Sequence, residues 1–475
     1  MKRKLLYVYI VFCSCYVKFF VYFCNQNTQK VYLINMHVRQ RIEIKPNNKQ
    51  KTYFLKCFGL TRLAYNWGLE EWERMYAAKE NPKWGEVRAH FNAIKHEDFP
   101  FVEEVSSHVT QEAFRNLGKA YKNYRTSIKK KDWMYGKPIK KKRNRSKGSA
   151  YFGGVDCKLS DTNKNSTAFE TIQHNLRKKR QYLFIPRLGW VKMCERLRYE
   201  GKLEHVIVRQ HADNFYATFC VDVTTQEYLA HHHPATDKKL AVGIDVGLHH
   251  VATLSDGMCI EHRPSREDGR ALITKRARQM NHHVHANTKE ERKAGMKSSN
   301  NFKKAAHRLA KTYRIVGDQR RDYLHKLTTV IVRHYGHICL EHLETSTMGQ
   351  TCKRKKVKRK RESDVTDVAM YTIRKMIEEK AESYGRKVTE VGQYYPSSKT
   401  CSNCGYLNAK VDQQTKAWTC PKCHTRHNRD YNAAVNMKKQ IGVACPEFTP
   451  EDLKALRLDF KKNGVATSEV ETGMG

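Results

Sequence analysis

The sequence predicts an α/β protein in two parts: a mainly β unit with a helical insertion, then a mixed domain interrupted late by a metal-binding module. Three observations predict it. From Leu240 onward, short apolar strands alternate with long amphipathic helices. Alternating strand patterns separated by turn residues fill 151–223. Two Cys-x2-Cys knuckles, Cys401 with Cys404 and Cys420 with Cys423, lie 15 residues apart. That spacing suits four thiolates placed about 2.3 Å from one tetrahedral Zn²⁺.

Taken in order, residues 5–24 are apolar and follow Lys2, Arg3 and Lys4, as in a signal anchor. The interior Lys18 and the lack of a small-residue cleavage site argue against that reading. Residues 1–35 are instead read as a hydrophobic extension, with translation starting at Met36. A short strand begins there. Pro46-Asn47-Asn48 signals a turn and a helix cap, and helical patterning runs over about 47–128. Phe114, Leu117, Tyr121 and Tyr124 share one face of its last part, read as core packing.

Strands follow at Tyr182–Pro186, His205–Val208 and Phe215–Phe219. They suggest a small β-barrel or sheet, so 36–235 is read as one nucleic-acid-binding domain. His231-His232-His233-Pro234 reads as a linker. The second domain, 236–440, opens with strands at Leu240–Asp245 and Val251–Leu254. A long basic helix over 301–334, a strand at Ile338–Glu341, a helix over 365–384 and a strand at Val388–Val391 come next. The cysteine module (396–427) precedes a final helix from Asp430 to Lys439, and 441–475 is read as a mobile tail.

The chain's 475 residues leave room for two or three domains. Its 89 Lys and Arg exceed 48 Asp and Glu, a net charge of +41. Such self-repulsion implies a polyanionic partner. Because the basic residues recur along most of the chain, nucleic acid is expected and a membrane is not. Binding should weaken steeply with salt. Residues 119–148 hold 13 Lys or Arg against one acid, Asp132, and 353–361 hold eight in nine positions. Within these runs and the long helix, phosphate contacts are assigned to Lys140, Lys141, Lys142, Arg143, Arg145, Arg320, Arg321 and Lys326. The 15 cysteines include only four at metal spacing. No disulfide framework is visible, and with the high charge and the metal spacing this points to a reducing, intracellular setting; a cytoplasmic, nucleoid-associated location is expected of such a nucleic-acid-binding chain.

Three acids stand where a metal-dependent nuclease needs them. Asp245 and Glu341 each end an apolar strand, and Asp430 opens a helix directly after the cysteines. A carboxylate at a buried strand end is costly unless a cation offsets its desolvation, and Mg²⁺ (or Mn²⁺) is the usual one. Phosphodiester hydrolysis is served by two such ions about 4 Å apart. Each acid alone could be an ion-pair or capping residue. The three together, beside a cysteine module, favour the catalytic reading.

At these residues the chain resembles the TnpB (OrfB) proteins of bacterial insertion sequences. The matching segments are Val242-Gly-Ile-Asp-Val-Gly247, Asp318–Lys326, Leu340-Glu-His-Leu343, Tyr395–Gly405, Trp418–Cys423 and Arg429–Asn436. Phe58–Asn66 and Ile185–Trp190 also resemble that family. The resemblance spans about Met36 to Lys439. It implies an RNase H-like RuvC nuclease domain with an inserted zinc ribbon, behind an OB-like barrel carrying the helical insertion. It further implies a guide RNA from the element itself, DNA cleavage beside a short flanking motif, Asp245, Glu341 and Asp430 as catalytic acids, and Zn²⁺ on the four cysteines. Two departures stand out: His342 where the family often has Asp, and Asn428 where it often has Asp. A monomer is expected. The competing readings are a three-acid transposase, against which the Asp-Glu-Asp order argues, and a non-catalytic zinc-containing regulator that binds DNA or RNA.

Overall fold

The computed structural model describes residues 35–130, 135–142, 148–160, 181–232, 235, 240–247, 249–263, 266–284, 291, 294–341, 369–392, 395–412, 415–442 and 446–470. The apolar segment 5–24, the basic run 353–361, His342, Arg143 and Arg145 lie outside the described residues. No helix among the described residues is long and apolar enough to cross a membrane. The chain divides into two compact units, Met1–His231 and His232–Gly475.

The first unit opens with β1 (Asn35–Lys45) and α1 (Asn48–Ala77). Asn47 caps α1 as its sequence suggests. The Gln50 amide donates to Asn47 Oδ1 at 2.9 Å, and the Asn47 amide donates to Gln50 Oε1 at 2.9 Å. Then come α2 (Trp84–Asp98), a 3₁₀ turn (Pro100–Glu104) and α3 (Ser107–Lys130). Phe114 and Leu117 of α3 are fully buried, and Tyr121 stacks on Trp72 with ring centroids 4.5 Å apart. That face is therefore core.

The strands β2 (Ser149–Gly153), β3 (Lys158–Ser160), β4 (Tyr182–Ile185), β5 (Gly189–Met193), β6 (Lys202–His211) and β7 (Asn214–Thr224) join β1 in one antiparallel sheet. The order is β2-β6-β7-β1-β5-β4-β3. Phe54 and Phe58 of α1 pack over it against Phe215. Of the small barrel or sheet expected here, the described residues form an open sheet and not the OB-like barrel that the resemblance implies, because β2 and β3 at its two ends pair on one side only. The unit closes with α4 (Thr225–His231), so His231 ends a helix instead of starting a linker.

The second unit is built on a six-stranded mixed sheet. Its strands are β8 (Ala241–Asp245), β9 (Ala252–Leu254), β10 (Met258–Ile260), β11 (His337–Glu341), β12 (Lys387–Val391) and β15 (Thr467–Glu469). The order is β12-β11-β8-β9-β10-β15, with β12, β11 and β8 parallel. Its helices are α5 (Arg266–Asn281), α6 (Asn300–His334), α7 (Met370–Ser383), α8 (Arg429–Lys439) and α9 (Pro450–Lys462). The short strands β13 (Ala417–Thr419) and β14 (Arg426–Asn428) form a hairpin immediately before α8.

The parallel strands show which face each residue serves. Val242, Ile244, Ile338 and Leu340 point into a core with Leu327, Ile331, Ile373, Ile377 and Phe460 from α6, α7 and α9. Ala241 and Cys339 point the other way, against Ala433 and Met437 of α8 and Ile441 just beyond its end. Sheets filled on both faces read as continuous apolar runs, as these do.

The expected mobile tail is also corrected. Pro450 and the Thr449 capping box start α9, and Leu456 and Phe460 are fully buried. β15 then pairs with β10 along the sheet edge. Burial of apolar side chains within 450–470 offsets the entropy of ordering the segment.

Candidate active site and cysteine centre

The two-residue period of a strand sets the site. Ala241 faces α8, so Gly243 and Asp245 face it too. Likewise Cys339 faces α8, and Glu341 follows on that side. β8 and β11 pair in parallel through Ile244 and Leu340. One residue further on, Asp245 and Glu341 stand side by side at the carboxyl ends of neighbouring strands, where strands are about 4.8 Å apart. Ligand sites in open α/β sheets form at such ends.

The third acid arrives on α8, which lies unusually close to β8. A Cβ added at Gly243 would stand 2.0 Å from the Ala434 carbonyl oxygen and 2.5 Å from the Lys438 amide nitrogen. Only glycine permits that approach. Ala433 and Ala434 complete the contact surface. Asn428 caps the helix, its Oδ1 accepting from the amides of Asp430 at 3.1 Å and Tyr431 at 3.2 Å. Asparagine thus does at this position what an aspartate would do as a cap. The departure from the family pattern leaves the helix start intact.

Electrostatics bring the charges of Asp430 and Glu341 to bear on Asp245. Burial, then Asp430, then Glu341 push the Asp245 carboxyl up to about 8, while Arg429 pulls it down. Burial also raises Glu341, again opposed by Arg429. Like charges sharing a half-buried site hold the proton unless a cation is present. The donor set is all oxygen, anionic and partly desolvated, which fits a hard divalent cation. Thr253 lies beside Asp245 on β9, and the charge of Asp430 reaches Cys259. Arg429 is the residue that reading the motifs alone did not single out. The signal was its place directly before Asp430.

The four cysteines come together. Their sulfurs lie within 4.8 Å of one another, the one group of three or more His, Cys, Asp or Glu so arranged among the described residues. The three acids are spread more widely than that. Cys401 to Cys423 and Cys404 to Cys420 both measure 3.6 Å. A tetrahedron with sulfurs about 2.3 Å from a Zn²⁺ has edges of about 3.8 Å, so the cluster fits that ion. Both knuckles end on a left-handed residue, Gly405 at φ 75° and His424 at φ 58°. Among the described residues the module's own core is Val411 and Trp418 with the cysteines. Such a core needs a metal to hold it. His427, which spacing did not reveal, places Nε2 3.0 Å from Cys401 Sγ beneath Trp418.

The expected phosphate contacts meet different fates. Lys140 pairs with Glu70. Lys141 lays its ammonium 3.7 Å from the centre of the Tyr65 ring, while its backbone bonds Asn66. Lys142 and Arg321 are exposed, and Arg320 is half-buried. Lys326 pairs with Asp322 one turn earlier on α6 at 2.8 Å.

A mixed α/β unit with paired strand-end acids and an adjoining four-cysteine cluster defines a class of metal-linked α/β proteins. Comparison with known proteins narrows that class. A family model described as "Probable transposase" (the OrfB family of IS605) matches residues 218–351, which include Asp245 and Glu341. A "Cas12f1-like, TNB domain" model matches 371–437, which include the cysteines and Asp430. A "Helix-turn-helix domain" model matches 36–81, which here form β1 and the single helix α1. A Streptomyces pristinaespiralis protein described as "Putative RNA-guided DNA endonuclease" is 30% identical over 397 residues, covering 82% of this chain and 86% of the relative. An Escherichia coli (strain K12) protein of the same description is 24% identical, covering 84% and 90%. The chain belongs to the OrfB/TnpB family. Among solved structures, the mini-RNA-guided endonuclease CRISPR-Cas_phi3 aligns with TM-score 0.45 and 10% identity, covering 89% of this chain and 94% of that one.

Proposed function

We propose that this protein is a transposon-encoded DNA endonuclease of the RuvC type, with an RNase H-like catalytic domain. An RNA from its own element guides it to DNA beside a short flanking motif. The observation that carries the reading is the convergence of Asp245, Glu341 and Asp430 on the α8 face of the sheet, sensed by Asp245 as like charge. Family membership and the names of the relatives support the RNA guide.

Asp245, Glu341 and Asp430 would hold the divalent cations, Mg²⁺ or Mn²⁺. When bound, such ions activate the attacking water and stabilise the leaving oxygen. The chain's own contribution is placement. Register holds Asp245 beside Glu341, and the Asn428 cap with the Gly243 contact holds Asp430 over them. Arg429 contributes positive charge beside Asp245 and Glu341, which favours the ionised forms of those two and an incoming phosphate. Guide pairing would supply sequence specificity, with the protein holding backbone and duplex shape. The first unit, with the basic residues around Lys142, is assigned to the guide RNA and flanking motif. Arg320, Arg321 and Lys326 are assigned to nucleic-acid backbone along α6. The protein would act as a cytoplasmic monomer.

The test is plasmid cleavage with Mg²⁺ by protein co-expressed with its own locus, comparing wild type with Asp245→Ala. Cleavage that requires co-purified RNA and vanishes in the variant is the expected result. RNA-independent cleavage would remove the guide and keep the acids. Equal activity of the two proteins would overturn the assignment of the acids, and bound RNA with no cleavage would favour a non-catalytic binder.

A further inference from the structure

One face of α8 carries polar residues that nothing in the cleavage reaction calls for. Asn432 and Asn436 stand one turn apart on it and are 1% and 3% exposed. Side-chain amides so deeply buried are costly unless every group is satisfied. Here the same short stretch of chain bonds both. Asn432 Nδ2 donates to the Thr400 carbonyl at 2.8 Å, and its Oδ1 accepts from the Ser402 amide at 2.9 Å. Asn436 Nδ2 donates to the carbonyls of Ser397 at 2.7 Å and Thr400 at 2.6 Å. Ser397 to Ser402 is the run of backbone that delivers Cys401 to the cysteine cluster.

The helix is therefore held between two surfaces. Its alanines rest on the sheet at Gly243, and its asparagines grip the first knuckle. From the other end of the module, β14 carries His427, whose ring reaches Cys401 Sγ, and then runs through the Asn428 cap into Asp430. Both routes join the sulfur cluster to the amino-terminal half of α8.

We propose that Asn432 and Asn436 are positioning residues that transmit the order of the metal-loaded cysteine module to Asp430. This rests on the reading of Asp430 as an active-site acid. On this view the zinc module is part of the scaffold of the acid site. Removing zinc would loosen the knuckle, release its grip on α8, and let the helix start fray away from Asp245 and Glu341. Second-shell supports of this kind commonly change metal affinity or activity roughly 10- to 100-fold.

The test uses the full chain as wild type, Asn432→Ala, Asn436→Ala and the double variant, with and without zinc. Zinc content and the cobalt-thiolate absorbance of the substituted protein report the cluster. Amide hydrogen exchange reports the helix start at Asp430 and Tyr431. In the zinc-loaded variants the cluster should be unchanged, while those two amides exchange roughly tenfold faster and half-maximal cleavage needs roughly tenfold more Mg²⁺. Stripping zinc from the wild type should accelerate the same amides, and stripping it from the double variant should add little. The milder Asn436→Ala keeps the comparison available if the other variants fold poorly. Exchange at Asp430 and Tyr431 that ignores either the substitutions or zinc overturns the proposal. So does zinc loss in the variants, which would make the asparagines supports of the module alone. If Asp245→Ala cleaves like wild type, the acid assignment fails, yet the exchange comparison still decides the coupling.

Discussion

Replacing Gly243 with alanine tests whether α8 must lie against β8 for the acids to meet. The added methyl would stand 2.0 Å from the Ala434 carbonyl oxygen, and ordinary contact begins near 3.4 Å, so one element must retreat by about 1.4 Å. Both close atoms, Ala434 O and Lys438 N, are helix backbone, and no rotamer change relieves them. Overpacking of this kind costs about 1–3 kcal/mol. The larger effect should fall on chemistry. Asp430 lies one helical turn from Ala434, and a misplacement near 1 Å can cost about 100-fold in rate. Gly317, in the middle of α6, is the control, since a Cβ there meets nothing within 4 Å. Alanine at that position should be neutral or stabilising by up to about 1 kcal/mol. Thermal melting and Mg²⁺-dependent plasmid nicking would be measured on all three proteins in one buffer. A Gly243→Ala protein that melts and cleaves like wild type would refute the close packing, and with it the placement of Asp430.

Two further outcomes are expected. Asp245 holds its proton up to about 8 in the fold, against 3.8 ordinarily. The folded state therefore binds the extra proton between those values, and metal-free stability should fall as pH rises through that window. Asp245→Asn cannot ionise, so it should flatten the fall and melt above the wild type at pH 8 while losing cleavage; parallel pH slopes would contradict the cause assigned to the shift. Phe460→Ala should cost about 3–5 kcal/mol in a denaturant titration, because Phe460 is fully buried in the core of the second unit. A loss below about 1 kcal/mol would return residues 450–470 to the status of a tail.

Much of this could be read before any folding was known, and the reasons are local. Pro46-Asn47-Asn48 announces a cap because an N-cap is satisfied three residues away. The knuckles announce a metal cluster because each pair of ligands is separated by two residues. Asp245 and Glu341 announce a site because a charge ending an apolar run is anomalous wherever the run is buried. The open first sheet was not legible, since strand patterns show which residues alternate but leave closure to pairing between distant segments. Nor was α9, whose apolar residues are few and gain a partner only against α6 and the sheet edge.

The sequence by itself determined the ingredients: four thiolates at ligand spacing, three carboxylates in strand, strand and helix contexts, and an excess of positive charge. Tertiary structure alone decided their arrangement. Parallel register placed Glu341 beside Asp245, and the missing side chain of Gly243 let α8 descend until Asp430 joined them. Asn432 and Asn436 became a grip on the first knuckle only once α8 lay along it. The division has a physical cause. Capping and knuckle spacing act over a few residues and leave a local pattern, whereas register and close packing join segments tens of residues apart and leave none.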